Sequence, residues 1–94
     1  NDGEALILLG QHNAREDNDE KAISYYKRAA ELKEYEADAK IRHAQLLVRN
    51  GKYKEALPLL ERAQEINHRE NVQKYLEQVE RFAKRNEENQ TAPM

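Results

Sequence analysis

The chain has 94 residues, of which 38% are hydrophobic and 36% are charged, with no cysteine and no tryptophan. A chain of this length builds one modest core, which excludes separate cofactor and substrate domains. The absence of cysteine excludes disulfides and thiolate zinc sites. The longest apolar run, Ala5–Leu9, is too short to cross a membrane. The 16 basic residues are balanced by 18 acidic ones and form no basic stripe. We therefore expect neither membrane insertion nor a nucleic-acid partner.

The spacing of apolar residues predicts helices along the whole chain. Apolar residues recur three and four positions apart rather than alternating, and strong helix formers dominate between the few glycines and prolines. Asn50-Gly51 is the clearest stop signal. Five helices are predicted, over residues 4–15, 19–33, 36–49, 52–66 and 70–85, and residues 86–94 are predicted to be a disordered polar tail.

An internal repeat is the strongest pattern in the sequence. Residues 3–36 align with residues 37–70 without a gap, and nine of the aligned positions are identical. Conservative pairs, such as Ile23 with Leu57, fall on the same helix face. A fixed period of this length is typical of a helical repeat array, in which each unit buries a thin apolar layer against its neighbours.

The repeat resembles the tetratricopeptide repeat family. Residues 51–66 are similar to the second helix of that repeat, with the turn glycine Gly51 and the small residues Ala56 and Ala63 where helices cross. Residues 22–32 carry the same signature, preceded by a Leu-Gly pair at 9–10. The resemblance implies an all-α fold, a right-handed superhelical stack of antiparallel helix pairs over residues 1–85. Repeat one would cover 3–36, repeat two 37–70 and a capping helix 70–85.

Two departures from the family pattern lead to further expectations. Asp17 and Asp19 stand where the first repeat should have its turn glycine and its aromatic residue, so we expect a looser first turn than the one at Gly51. In the last helix the apolar stripe begins later than the period requires. We therefore expect an offset register, in which Val72, Tyr75, Leu76 and Val79 point inward.

The sequence contains no recognisable catalytic or metal-binding group. The three histidines, His12, His43 and His68, have no partner four residues away, and Ser24 has no nearby base. We expect no enzymatic activity, no metal and no cofactor. The composition does not assign a compartment, and a cytoplasmic location is only a default.

The resemblance implies a concave groove that is lined by the first helix of each pair. Such a groove holds a peptide or a helix of a partner protein, which implies a non-catalytic scaffold or adaptor. Arg42, Arg49 and Lys74 are expected to hold a carboxylate or an acidic segment of that partner. The predicted lining residues are Ile7, Leu8, Gln11, Asp38, Ile41, Arg42, Gln45, Arg49 and Lys74.

The run Ala5–Leu9 supports a second hypothesis. Five consecutive apolar residues cover more than one face of a helix, so Leu6 and Leu9 are expected to pack on the second helix while Ile7 or Leu8 stays uncovered. An upstream repeat, a homodimer through this open end or a client protein would cover it. The alternative function is therefore a structural segment for self-association or for a longer repeat array. The purely structural alternative is that Leu8 packs at the edge of the same core.

Overall fold

The computed structural model describes residues 2–91, with side chains described as far as residue 88. Within this range the chain forms five α-helices and no strand. The helices are α1 (Asp2–Arg15), α2 (Asp19–Ala30), α3 (Glu36–Arg49), α4 (Tyr53–Ile66) and α5 (Glu70–Thr91), with a short 3₁₀ turn, Lys33–Tyr35, between α2 and α3. The predicted all-α class is confirmed. The second helix ends at Ala30 rather than at Lys33, because the chain enters the 3₁₀ turn.

The helices stack in the order in which they occur in the chain. Helix α1 packs on α2 and α3 on α4, while α2 packs on α3 and α4 on α5. The turns within the two pairs are short, which forces neighbouring helices to run antiparallel. The arrangement is a stack of antiparallel helix pairs closed by a fifth helix.

The core consists of three thin apolar clusters that join successive helices. The largest joins α3, α4 and α5, and the two smaller ones join the first pair to α3. No helix is buried on all sides. Each helix therefore needs apolar residues only where it contacts its neighbours, and a low hydrophobic fraction is enough to hold the stack together. The buried members are Ala44, Leu47, Ala56, Leu60, Val72, Leu76 and Val79 in the first cluster, Ile7, Ala29 and Ala39 in the second, and Ala22, Tyr26 and Leu46 in the third.

The two helix pairs cross at equivalent positions with complementary side-chain sizes. In the first pair Gly10 faces Tyr26, and a Cβ atom at Gly10 would overlap the tyrosine ring. Their equivalents in the second repeat, Ala44 and Leu60, are both fully buried. A smaller residue on one helix is therefore matched by a larger side chain on the other, because the space between two close helices is limited.

The first turn has the same backbone geometry as the second, so the expectation of a looser first turn was wrong. Asp17 has a φ of 61° and Gly51 a φ of 76°, both in the left-handed region. The Asn18 N–H donates to the Asn13 carbonyl at 2.8 Å, and the Lys52 N–H donates to the Leu47 carbonyl at the same distance. Aspartate tolerates this conformation better than most residues, although less well than glycine.

Helix α5 closes the stack in the offset register that the sequence predicts. Val72, Leu76 and Val79 are buried and Tyr75 is half-buried, as expected. The helix continues to Thr91, however, so the predicted end at Arg85 and the predicted disorder of 86–91 were wrong. Residues 92–94 of the predicted tail lie outside the described residues.

Two contacts with α4 hold the second half of α5. The Tyr53 and Phe82 rings lie 5.6 Å apart between centroids. The Lys54 ammonium lies 2.7 Å from the Glu87 carboxylate, beyond the predicted helix end. The start of α4 therefore holds the second half of α5 through side chains that local sequence patterns do not connect.

Replacing Gly10 and Tyr26 by alanine and leucine, the residues at the second crossing, tests whether the two side chains at a crossing share one limited space. Gly10→Ala should lower the free energy of unfolding by about 1–3 kcal/mol, because the new methyl group overlaps Tyr26. Tyr26→Leu alone should also destabilise the protein, because it leaves a cavity. The double variant should lose less than the sum of the two single losses, by about 1 kcal/mol or more in urea denaturation. Strictly additive losses would show that the two side chains do not share a space.

Substitutions at the two turns should change stability in opposite directions. Asp17→Gly should raise the free energy of unfolding by about 0.5–1 kcal/mol, since glycine relieves the cost of a left-handed conformation. Gly51→Ala should lower the free energy of unfolding by about 1–2 kcal/mol, because alanine pays the cost of the left-handed conformation. No steric clash adds to this cost, since nothing lies within 4 Å of the added Cβ. Thermal and urea denaturation of both variants measure these changes. A loss of stability in Asp17→Gly would mean that the aspartate side chain stabilises the turn.

Candidate partner-binding surface

The outward faces of α1 and α3 lie side by side. Ile7 of α1 and Ala39 of α3 belong to one buried cluster. At the other end of these helices the Arg49 guanidinium donates to the Ala14 carbonyl at 3.1 Å. Because the two helices approach at both points, residues on their outward faces form one surface, which we call the α1/α3 face.

The α1/α3 face contains most of the residues predicted to line the groove. Leu8, Gln45 and Arg49 are exposed, whereas Gln11, Asp38, Ile41 and Arg42 are half-buried. Lys74 is exposed on α5, which packs beside α3 through the largest core cluster. Ile7 is different, since it is only 7% exposed and packs in the core.

The exposure of the run Ala5–Leu9 differs in part from the expectation. Leu8 is 58% exposed, as one of the two alternatives predicted, but Leu9 is also exposed, at 43%, rather than packed on α2. Leu6 is half-buried. Five apolar residues in succession do not show which face turns inward, and the contact of Ile7 with Ala29 and Ala39 decides it here.

Both arginines of the face already hold carboxylates of this chain. The Arg42 Nε lies 3.2 Å from the Asp38 carboxylate, one turn away on the same helix. Arg49 pairs with Asp19 and also donates to the Ala14 carbonyl, so it ties the end of α3 to the first turn. A carboxylate of a partner would have to replace Asp38 or Asp19.

Asp19 is a residue whose role the sequence reasoning missed. Its carboxylate receives hydrogen bonds from both Arg49 and Asn50, the latter at 2.7 Å. The only sequence signal was its departure from the family pattern, because the equivalent position in the second repeat is the aromatic Tyr53. Asp19 thus replaces a packing contact by an ionic one between the repeats.

A second ionic group, centred on Glu36, links α3 to α4. Its carboxylate lies 2.7 Å from the Lys40 ammonium and 3.0 Å from the Arg62 guanidinium. The hydrogen bonds from Arg62 and Lys40 lower the pKa of Glu36 from its ordinary value of 4.5 to about 2. Glu36 also lies in the first turn of α3, where a helix N-terminus favours negative charge.

His43 occupies a shallow depression between α2, α3 and α4. The depression is lined by apolar residues, among them Tyr26 and Leu59, and by charged residues of both signs, Lys27, Lys40 and Glu31. Burial, and secondarily the nearby charge of Lys27, lower the pKa of His43 below its ordinary value. The histidine is therefore neutral at physiological pH and serves as a packing residue at the place where the second repeat meets the first.

Across residues 2–91 no group of three or more histidine, aspartate or glutamate side chains is arranged to hold a metal ion. None of the helices in this range combines the length and the apolar character that crossing a membrane requires.

Replacing Glu36 should change how stability depends on pH. Since its folded-state pKa is depressed, Glu36 contributes stability that is fully present above about pH 4.5 and is lost as the pH falls toward about 2. Glu36→Gln should therefore lower the urea midpoint at pH 7, and the difference from the wild type should shrink between pH 4.5 and pH 2. Glu61→Gln, at an exposed position of α4, is the matched control and should show no such trend. A difference that stays constant with pH would contradict the ionic role of Glu36.

Comparison with known proteins supports the same architecture. The family model described as tetratricopeptide repeat matches residues 14–79, from the end of α1 into α5. Comparisons with curated proteins and with solved structures gave no match. Because the family model covers well over half of the 94 residues, the chain belongs to the tetratricopeptide repeat family.

Proposed function

We propose that this chain is a non-catalytic protein-interaction module that binds an extended peptide or a helix of a partner protein along the α1/α3 face. Its role would be that of a scaffold or an adaptor. Membership in the tetratricopeptide repeat family supports the general function, since the family supplies protein–protein interaction modules. The choice of surface rests on the residues that the two repeats place at equivalent positions.

The observation that carries the proposal is the pair Gln11 and Gln45. These glutamines are one repeat apart, at the same position of α1 and α3, and Gln45 is exposed while Gln11 is half-buried. A side-chain amide both donates and accepts hydrogen bonds, so it can pair with the backbone of a peptide of any sequence.

The side chains next to the glutamines suggest what the peptide carries. Leu8 offers an apolar contact on α1, whereas its equivalent on α3 is the half-buried Arg42. The pair between Arg42 and Asp38 is partly exposed, with 33% and 45% of the side-chain surfaces accessible, and such pairs contribute less than about 1 kcal/mol. A ligand carboxylate could replace Asp38 at little cost. The ligand would then combine an apolar side chain with an acidic one.

Arg49 and Ile7 have smaller parts in this proposal than the sequence suggested. Arg49 joins the two repeats through Asp19 and Ala14, so replacing it would disturb the surface itself. Ile7 supports the face from below, through its contacts with Ala29 and Ala39. Lys74 remains a proposed contact at the far end of the face, on α5.

Selection from a random peptide library on the immobilised wild-type protein, followed by fluorescence polarisation, tests the proposal. Gln11→Ala/Gln45→Ala should lower the affinity for the selected peptides by about tenfold to a hundredfold, because each lost hydrogen bond contributes about 0.5–1.5 kcal/mol. Leu8→Ser should lower the affinity for those selected peptides that share an apolar residue at the same position. The control Ser24→Ala/Glu61→Gln changes exposed positions of α2 and α4. The proposal fails if peptides bind the glutamine variant as tightly as the wild type, or if only the control loses affinity.

A further inference from the structure

A narrow stripe with two exposed leucines at its centre runs along the outer side of α1 and shares Leu8 with the α1/α3 face. It consists of Ala5, Leu8, Leu9 and His12, which lie on one side of the helix by their spacing. The two leucines are 58% and 43% exposed. Among the described residues they are the two most exposed large hydrophobic side chains, and they are adjacent.

The second repeat shows what kind of occupant fits this stripe. The equivalents of Ala5 and His12 on α3 are Ala39 and Leu46, which are 0% and 5% exposed. Ala39 packs in one cluster with Ala29, and Leu46 in another with Ala22 and Tyr26, all three of them on α2. The equivalent of Leu9, His43, also lies against α2, in a depression that it shares with Tyr26 and Lys27. The equivalent of Leu8, Arg42, instead pairs with Asp38 on its own helix. By this equivalence Ala5, Leu9 and His12 mark a helix-packing surface on α1.

The stripe is self-complementary when a second α1 runs antiparallel to it. Its positions 5, 8, 9 and 12 are symmetric about the point between Leu8 and Leu9, which is also the midpoint of α1 (Asp2–Arg15). In an antiparallel pair, Leu8 of one copy would therefore meet Leu9 of the other. The small Ala5 would meet the larger His12, so that a short side chain faces a ring on each side of the leucines.

Charge complementarity supports the same arrangement. Helix α1 has acidic residues in its first turn, Asp2 and Glu4, and basic residues in its last turn, His12 and Arg15. Glu4, Leu8 and Arg15 share one flank of the stripe, since they are spaced by four and seven residues. An antiparallel second copy would place Glu4 within about 3 Å, measured along the helix axis, of Arg15 of the other copy, because two residues of helix rise about 3 Å.

The other end of the stack does not offer a suitable cover. The outward side of α5 carries exposed charged residues, among them Lys74, Arg81 and Lys84. Covering Leu8 and Leu9 with this side would remove charges from water without providing apolar contacts. Open head-to-tail stacking of copies is therefore disfavoured, and a closed two-fold pair is favoured.

We propose that the stripe on α1 binds a second copy of this chain, with the two α1 helices antiparallel and Glu4 of each copy opposite Arg15 of the other. The inference goes beyond peptide binding, because three of the four residues of the stripe, Ala5, Leu9 and His12, lie outside the α1/α3 face and only Leu8 is shared. Four side chains per copy make a smaller contact than a standard interface, which buries about 1600 Å² in total. The dimer is accordingly weak, with a dissociation constant on the order of 100 µM.

Sedimentation equilibrium from about 10 µM to 1 mM tests the dimer. The wild type should shift from monomer toward dimer over this range, and Leu9→Ser should reduce the association at least tenfold. Ile66→Ser is the matched control, because Ile66 is 39% exposed but lies at the end of α4, and it should associate like the wild type. A wild type that stays monomeric at 1 mM would overturn the proposal and leave an upstream helix or a different protein as the occupant.

Two charge reversals test the antiparallel arrangement. Arg15→Glu alone and Glu4→Arg alone should each weaken self-association, because like charges would face each other at both ends of the pair. Mixing the two variants should restore a dimer that contains one copy of each, since every Glu would again face an Arg. If the mixture associates no better than the separate variants, the antiparallel pairing is wrong. Circular dichroism of each variant confirms that it is folded.

The two proposals can fail independently. Leu9→Ser should still bind the peptides selected on the wild type, whereas Gln11→Ala/Gln45→Ala should still dimerise. Loss of dimerisation with retained peptide binding would assign the stripe to self-association alone. Simultaneous loss of both in Leu9→Ser, with unchanged circular dichroism, would mean that the peptides occupy the stripe and would contradict the separation of the two surfaces.

Discussion

The close approach of successive helices is the constraint on which the rest of this structure depends. Small residues make the approach possible, and their side chains are completely or almost completely removed from water. Ala22 and Ala29 on α2 are 0% exposed, and their equivalents on α4, Ala56 and Ala63, are 0% and 1% exposed. Because the small residues recur at the repeat period, the second helix pair repeats the packing of the first. The repetition brings the outward faces of α1 and α3 side by side, with Gln11 and Gln45 at equivalent positions.

Ionic contacts complement this packing at the edges of the stack. Asp19 receives hydrogen bonds from Arg49 and Asn50, so it holds the end of α3 against the first turn. Glu36, between Lys40 and Arg62, links the start of α3 to α4. The two groups lie at opposite ends of α3 and together restrict how this helix can tilt. The shape of the α1/α3 face therefore depends on two carboxylates, Asp19 and Glu36, that do not belong to it.

Much of this architecture could be predicted from the sequence because the determining signals are local or periodic. Apolar spacing located all five helices, and the repeat period related the two pairs. The failures have tertiary causes. Helix α2 ends early because the chain turns at Lys33–Tyr35, where the Tyr35 ring packs against Gly3. Helix α5 extends to Thr91, past the ion pair of Glu87 with Lys54, a partner far away in the sequence.

The candidate site was predictable to a smaller extent for the same reason. Most of the side chains that spacing and resemblance selected lie on the α1/α3 face, and their binding to a partner stays a prediction. Neither could show that Ile7 turns inward while Leu9 stays exposed, since a run of five apolar residues has no distinct face. Nor could they show that Arg42 and Arg49 hold carboxylates of this chain, because an ion pair between helices leaves no local pattern.

The central claim is that the equivalent positions of α1 and α3 act together as one binding surface. A nuclear magnetic resonance titration with a peptide selected on the wild type tests it most directly, because the side-chain amide signals of the two glutamines can be followed separately. We expect the signals of both Gln11 and Gln45 to shift together, with the same dissociation constant, while the backbone amides of Ser24 and Glu61 on α2 and α4 stay in place. Shifts confined to α2 and α4, or shifts of only one glutamine, would contradict the account.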